Sequence, residues 1–187
     1  SRDIAVKLAQ LGRDFAIALG LVLITIFPLG FRPSLIVMVS IPLSLAMGLL
    51  LLYLFGYSLN QISISGFIIS LGLLVDDSIV VTENIERHIR DGDPPITAAV
   101  NGTREIGAAV MGATGVLLFA FLPLTFLPEG AGDFVRGLPM AVILTVASSL
   151  VVSLTIIPFI ASRMLKPNAE EGNELLSTIK EGIQNFY

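Results

Sequence analysis

The sequence predicts an all-α integral membrane protein, built as a bundle of five transmembrane helices. Hydrophobic residues make up 54% of the 187 residues and charged residues only 14%, whereas an ordinary soluble domain carries about 25% charged residues. The mean hydropathy is +0.86. Five apolar stretches are each long enough for the ~17–25 residues that a spanning helix needs. We therefore place the chain in a lipid bilayer.

Composition also excludes several kinds of site. The chain has no cysteine, which rules out disulfides and thiolate metal sites. His88 is the single histidine and does not make a metal site by itself, and no cofactor is indicated. The basic residues are scattered along the chain, so the sequence does not indicate binding to nucleic acid.

The five predicted spans follow one another through short connections that carry turn residues. They lie at about residues 14–31, 34–55, 61–88, 99–127 and 134–164. No connection is long enough for a soluble domain, so we assign residues 1–167 to one transmembrane helical domain. Pro42, Pro123 and Pro158 fall in or near spans, where proline is tolerated better than in soluble helices.

The two ends of the chain differ from the spans. Ile4, Leu8 and Leu11 follow helical spacing, so the first helix is expected to begin in water and run into the bilayer. Residues 168–187 place a stripe of apolar side chains beside charged ones, which indicates an amphipathic helix at the membrane interface. A frayed tail is an equal alternative. Because the chain has no initiator methionine, we expect it to be a piece of a longer protein.

The third predicted span contains an acidic pair, Asp76-Asp77, in an otherwise apolar stretch. On membrane-insertion scales each carboxylate costs roughly 2.5–3.5 kcal/mol at the centre of a helix. An acid at that depth marks a functional site by default, most often part of an ion or proton path. The alternative is a structural role, in which the carboxylates only cap or bridge helices.

Polar and small residues share one side of this helix, recur every seven residues and therefore lie on nearly one face. They are Ser63, Ser70, Asp77 and Asn84. Gly72 and Asp76 lie on the neighbouring line. Small residues allow helices to approach closely. We therefore expect the small and polar members of both lines to support helix packing, and the acids to face protein or a water-filled cleft.

A cluster of charges follows at the end of the same helix, and we interpret it as interfacial. Glu83–Arg87 and Glu86–Arg90 have the i,i+4 spacing of ion pairs within a helix. His88 is expected to be exposed at the interface. No lysine or arginine lies at membrane depth in any predicted span. The acid pair would therefore be neutralised by protonation, or by a cation from elsewhere.

The acid pair belongs to a longer motif, Gly72-Leu-Leu-Val-Asp-Asp-Ser-Ile-Val-Val-Thr-Glu-Asn-Ile-Glu-Arg87. Its pattern Gly-x-x-x-Asp-Asp-x-x-Val-x-x-Glu-Asn strongly resembles the fourth transmembrane helix of the resistance-nodulation-division (RND) multidrug efflux pumps. The resemblance covers about residues 10–167. Its other matching positions are Phe31-Arg-Pro-Ser-Leu-Ile, Pro42, Phe55-Gly-Tyr-Ser-Leu-Asn, Pro94-Pro95, Pro123 and Met164-Leu-Lys-Pro167.

The resemblance implies that the chain comprises transmembrane helices two to six of the N-terminal half of a two-half transporter. By the family pattern, Asp76 and Asp77 are the proton-binding acids of a proton/drug antiporter. Their partners, a lysine, an arginine and a threonine, lie in the other half. The metal-exporting branch usually lacks one acid of this pair, so the intact pair favours the branch that exports drugs and amphiphiles.

The resemblance also implies a location and an assembly. Such pumps act as homotrimers in the bacterial inner membrane and join a periplasmic adaptor and an outer-membrane channel. Their substrate pocket is periplasmic, so the exported substrate is not encoded here. Residues 168–187 would begin the cytoplasmic helix between the two halves.

Three other functions compete with this one. A sterol-sensing or Patched-like module shares the five helices and the acid motif, and would bind lipid or sterol. An intramembrane aspartyl protease needs two carboxylates facing each other across a water. Adjacent residues on a helix project about 100° apart, so we expect the chain not to be an enzyme. A purely structural scaffold predicts that both acids could become Asn without loss of transport.

Overall fold

The structure, a computed structural model, describes residues 31–126 and 136–165 and a few single positions between 13 and 24. Within these ranges it is helical and contains no strand, so the predicted all-α class is confirmed. The helices are α1 (Phe31–Leu54), α2 (Gln61–Arg90), α3 (Pro95–Phe121), α4 (Gly137–Val151) and α5 (Ile157–Met164). A 3₁₀ turn, Leu122–Phe126, extends α3, and a π-helical turn, Val152–Ile156, joins α4 to α5.

The acid-bearing helix α2 is the centre of the bundle, since it contacts α1, α3, α4 and α5. It begins at a reciprocal cap between Asn60 and Ser63. The backbone N–H of Ser63 donates to Asn60 Oδ1 at 2.9 Å, and the backbone N–H of Asn60 donates to Ser63 Oγ at 2.8 Å. These bonds satisfy backbone donors that a helix start leaves unpaired. The cap determines the residue at which α2 begins. Because each residue of a helix is rotated by about 100° from the one before, it also determines the direction in which later side chains project.

A tight turn returns the chain from α2 to α3. The backbone N–H of Asp91 donates to the carbonyl of Arg87 at 2.9 Å. Gly92 follows with φ of 104°, which residues with a Cβ rarely adopt. Pro95 occupies the first turn of α3, where its missing N–H removes no helical hydrogen bond. Because this connection is short, α2 and α3 are antiparallel neighbours.

Glycines bring the helices close together at three points. A Cβ added to Gly66 of α2 would lie 2.7 Å from the carbonyl oxygen of Leu138. One added to Gly48 of α1 would lie 2.6 Å from a side-chain oxygen of α4, and one added to Gly102 of α3 would lie 3.1 Å from Cα of Ile85. Close approach of this kind strengthens the packing that holds membrane helices together. The three glycines therefore define the spacing of the bundle.

Burial differs strongly between the helices. Over the most apolar 18 residues, 56% of positions are buried in the helix at 137–164, against 17% in the helix at 95–126. The C-terminal part of α3 and the 3₁₀ turn after it expose large apolar side chains, among them Val116, Phe119 and Phe126. Apolar side chains of this kind suit contact with lipid or with further membrane helices. Most of the α3 surface is therefore not covered by the other described helices.

The π-helical turn between α4 and α5 has an identifiable cause. Pro158 lacks a backbone N–H, and its ring would clash with the carbonyl four residues earlier in a regular helix. That carbonyl belongs to Leu154, which lies inside the π-helical turn. The wider turn accommodates the proline, so 137–164 continues as one long helix.

Four helices are long and apolar enough to cross a membrane. They overlap the predicted spans 34–55, 61–88, 99–127 and 134–164. α3 begins at Pro95 rather than at 99, because the helix continues beyond the apolar stretch from which its span was predicted. The predicted span 14–31 falls almost wholly outside the described residues, and the tail 168–187 falls entirely outside them. The five-span count and the division of the chain after residue 167 stay predictions.

Candidate functional site

The two acids of α2 have different surroundings. Asp76 is exposed, whereas Asp77 is partly buried. They differ because neighbouring residues on a helix point about 100° apart. Asp77 therefore faces α3, and Asp76 faces the side of α2 that the described residues leave open.

The Asp77 carboxylate is held by a hydroxyl from the next helix. Thr114 Oγ1 of α3 donates to the carboxylate, with distances of 3.1 Å to Oδ1 and 3.0 Å to Oδ2. The Thr114 side chain is buried. A hydrogen bond to a charged group is stronger than one between neutral groups, so this contact fixes the direction in which the carboxylate points.

Gly72 lies beside Asp76 on the open side of α2. It is exposed, and a Cβ added to it would meet nothing within 4 Å. Within the described part of the chain, Gly72 therefore has no helix packed on it. Its expected packing role stays a prediction for the complete protein.

The other expected packing residues lie inside the bundle. Ser63 and Ser70 are buried, and the Ser70 hydroxyl donates to the carbonyl of Phe67 at 2.8 Å. Asn84 is partly buried and reaches α3, where its Nδ2 donates to the carbonyl of Gly102 at 2.7 Å. The face whose residues recur every seven positions thus begins at the capped start of α2 and includes Asp77. Its last member, Asn84, bonds directly to α3.

The charges at the end of α2 pair across helices rather than within α2. Arg87 Nη2 lies 2.7 Å from Glu105 Oε2. The predicted pairs Glu83–Arg87 and Glu86–Arg90 are absent from the ion pairs of the described residues. The reason is tertiary, because α3 approaches α2 closely at a glycine one turn before Glu105. A carboxylate from another helix is therefore available to Arg87.

His88 is also more enclosed than predicted. Its side chain is 22% exposed. Nδ1 lies 3.0 Å from Asp93 Oδ2, and Nε2 lies 2.9 Å from Glu105 Oε2. A neutral imidazole donates from one nitrogen, whereas an imidazolium donates from both. Two carboxylate partners therefore suit the charged ring, and the turn after α2 supplies one of them.

No basic side chain meets the acid pair within the part of the chain that is described. None of the ion pairs there involves Asp76 or Asp77. In the same residues, no three His, Asp or Glu side chains are grouped so as to hold a metal ion. The site therefore consists of two carboxylates, one hydroxyl and an open face.

Comparison with known proteins identifies the family. The sequence profile of the AcrB/AcrD/AcrF family matches residues 9–186. The chain belongs to this family. The resemblance of the Asp76-Asp77 motif to the RND efflux pumps is therefore confirmed, and with its four long apolar helices the chain is part of a multi-pass membrane protein.

Individual transporter sequences are similar to this chain over most or all of its length. A multidrug resistance protein MdtC of Salmonella paratyphi B is 38% identical over 192 residues, and that of Enterobacter sp. is 33% identical over 192. Both alignments cover 100% of this chain and 19% of the relative. An uncharacterized transporter of Haemophilus influenzae is 39% identical over 150 residues, covering 80% of this chain and 14% of that protein. The chain thus spans less than a fifth of the length of these relatives.

The sequence patterns did not predict the contacts that Thr114 and Glu105 make with α2. Thr114 gave a usable signal, since residues 106–126 contain only two hydroxyl-bearing side chains, Thr114 and Thr125. An isolated hydroxyl in a membrane helix is a candidate for a bond to another helix. Glu105 gave no comparable signal, because a carboxylate near a helix start is common on any solvated face.

Proposed function

We propose that this chain is part of the membrane domain of a proton-driven multidrug exporter, in which Asp76 and Asp77 exchange the transported proton. The observation that carries the proposal is the pair itself: two adjacent carboxylates on the central helix of an apolar bundle. Family membership and the multidrug resistance names of the relatives support it.

The proposed mechanism uses the position of the acids in the membrane. A membrane potential supplies about 2.3 kcal/mol per elementary charge per 100 mV, so a carboxylate exchanging a proton within the span can draw on that field. Two neighbouring carboxylates titrate as a coupled pair. A cation from the other half would hold the ionised state, and protonation would release it. The release changes which packing of the helices is favoured.

The remaining parts of the proposal concern the complete protein. A second half supplies the lysine, arginine and threonine partners, and the pump acts as a homotrimer in the bacterial inner membrane with a periplasmic adaptor and an outer-membrane channel. The isolated chain would not transport, because the cation is missing. Proteoliposomes containing only this chain should therefore show no proton-coupled drug flux, and flux above that of empty liposomes would contradict this part.

The decisive test replaces each acid in the complete protein. Asp76→Asn and Asp77→Asn keep size and polarity but cannot titrate. Each should abolish efflux while expression and trimer assembly persist. Asp91→Asn is the control, since Asp91 is an exposed acid directly after the same helix and lies outside the motif, so its loss should leave efflux intact.

The measurement is drug accumulation in cells that express each variant at matched protein levels. If both Asn variants export as fast as the parent, the acids are not the proton relay and the scaffold interpretation gains. The sterol-sensing alternative predicts instead that purified protein binds sterol and that the Asn variants change this binding.

A further inference from the structure

Thr114 is unusual among the buried hydroxyl groups of the described helices. Thr145, Ser148 and Ser70 donate to carbonyls three or four residues earlier in their own helices, which is the habit of these residues in helix interiors. Ser149 donates across helices, but to a backbone carbonyl, that of Leu74, at 3.0 Å. Thr114 donates across helices to an acidic side chain, with contacts to both oxygens of Asp77. The Thr114 hydroxyl therefore donates its hydrogen bond to the Asp77 carboxylate and not to a backbone carbonyl of α3.

Packing alone does not account for this threonine. α3 is poorly buried, and its buried residues are Ala98, Ala99, Gly102, Val110 and Thr114. Thr114 is the last of them along the helix. The glycines on either side, Gly112 and Gly115, have no neighbour within 4 Å of an added Cβ. The described residues therefore enclose the Thr114 side chain but leave the directions of these two glycines open. In this part of α3, the enclosed side chain is the one whose hydroxyl contacts Asp77.

The other helices offer Asp77 no charged partner. Residues 33–54 and 137–162, which form almost all of α1, α4 and α5, contain no charged side chain. On α3 the nearest charged residues, Arg104 and Glu105, lie nine or more positions from Thr114, or about 13 Å along the axis. On α2 the nearest is Asp76, which projects to the open side. Thr114 is thus the polar group that the described helices present to Asp77.

We propose that Thr114 is a positioning residue for proton exchange: it holds the Asp77 carboxylate toward α3 and leaves Asp76 for a partner outside the described helices. The proposal rests on the proposed function. An ionised carboxylate accepts the hydroxyl hydrogen with either oxygen, whereas a protonated one has an O–H of its own and accepts with fewer lone pairs. Protonation therefore weakens or rearranges the contact between α2 and α3.

The test uses two substitutions in the complete protein. Thr114→Val keeps the shape and removes the hydroxyl, whereas Thr114→Ser keeps the hydroxyl and removes a methyl group. Thr145→Val is the matched control, because Thr145 is buried but donates to its own helix. We expect efflux at matched protein levels to fall roughly tenfold in Thr114→Val, as for loss of a bond to a charged group. Thr114→Ser and Thr145→Val should stay within about twofold of the parent, because both keep the bond to Asp77.

A second measurement reads the contact directly. The infrared difference spectrum between high and low pH reports carboxylate bands, and subtraction of the Asp77→Asn spectrum assigns the band of Asp77. Thr114→Val should move that band, and Thr114→Ser and Thr145→Val should not. An unmoved band in Thr114→Val would overturn the proposal. So would parental efflux in Thr114→Val, or equal losses in the Ser and Val variants.

The two proposals fail in different ways. If Asp77→Asn exports normally, the proton-relay function is wrong, whatever the Thr114 variants do. If Asp77→Asn abolishes efflux while Thr114→Val has no effect, the proton relay stands and the positioning role is wrong. If Thr114→Val does not accumulate in the membrane, the Ser variant decides, since a moved Asp77 band or a loss of efflux in that variant overturns the proposal.

Discussion

The middle and the end of α2 both carry charged side chains, but their partners differ. At the end, Arg87 and His88 are bonded to Glu105 of α3, and Asn84 bonds to the α3 backbone. In the middle, Asp77 has one hydroxyl partner from α3, and Asp76 is exposed beside open space. At the end of α2 the described residues pair Arg87 and His88, whereas in the middle they leave half of the acid pair available.

Under the proposed function, this difference separates the groups that support the fold from those that exchange the proton. Polar groups that hold a fold together are usually paired, as Arg87, His88 and Glu105 are where α2 meets α3 near the turn. A group that binds and releases a proton has to change partners between states. The acid pair combines one held carboxylate with one available carboxylate, which suits a partner from another part of the protein. The end cluster, which comprises Asn84, Arg87, His88 and Glu105, would then hold α3 against α2 while the contacts in the middle of α2 rearrange.

Of the three substitutions that test this difference without changing the acids, the largest effect is expected from closing the open side. Gly72→Leu places a large side chain next to Asp76, where the other half of the transporter is proposed to approach. Overpacking a helix contact of this kind should lower efflux in the complete protein by roughly tenfold or more. Gly72→Ser is the control, because a small residue preserves close approach. Drug accumulation at matched protein levels measures the effect, and normal efflux in Gly72→Leu would show that no helix packs there.

A smaller effect, on stability rather than transport, is expected where α2 and α3 are closest. Gly102→Ala adds a Cβ 3.1 Å from the backbone of Ile85, so the helices have to separate. The free energy of unfolding should fall by about 1–3 kcal/mol, with a lower Tm of the purified protein in detergent. Gly107→Ala provides the comparison, since the described residues leave open space there. Equal Tm values for the two variants would contradict the proposal that close packing of α2 and α3 at Gly102 stabilises the protein.

The smallest effect is expected from the charges of the end cluster. Glu105→Gln removes the negative charge that Arg87 and His88 share, but the pairs are solvent-accessible and screened by salt. Tm should fall slightly at low salt and match the parent at high salt, with efflux unchanged. Glu83→Gln is expected to leave Tm unchanged at either salt concentration. A loss of efflux in Glu105→Gln as complete as in Asp77→Asn would place the end cluster in the proton path.

The sequence alone determined the class of the protein and the location of the acids. Helical period and apolar length depend on consecutive residues, so the membrane helices and the shared face of Ser63, Ser70, Asp77 and Asn84 follow from spacing alone. The motif around Asp76-Asp77 led to the correct family for the same reason, because it is local.

Only the tertiary structure decided which groups meet. The pairing of Arg87 with Glu105 replaced the predicted pair with Glu83, because close approach of α3 brought a carboxylate from 18 positions away. Thr114 reaches Asp77 from 37 positions away. Helical spacing specifies the direction in which a side chain points, but the partner it meets depends on how far apart the helices pack, and here a glycine at the contact determines that distance.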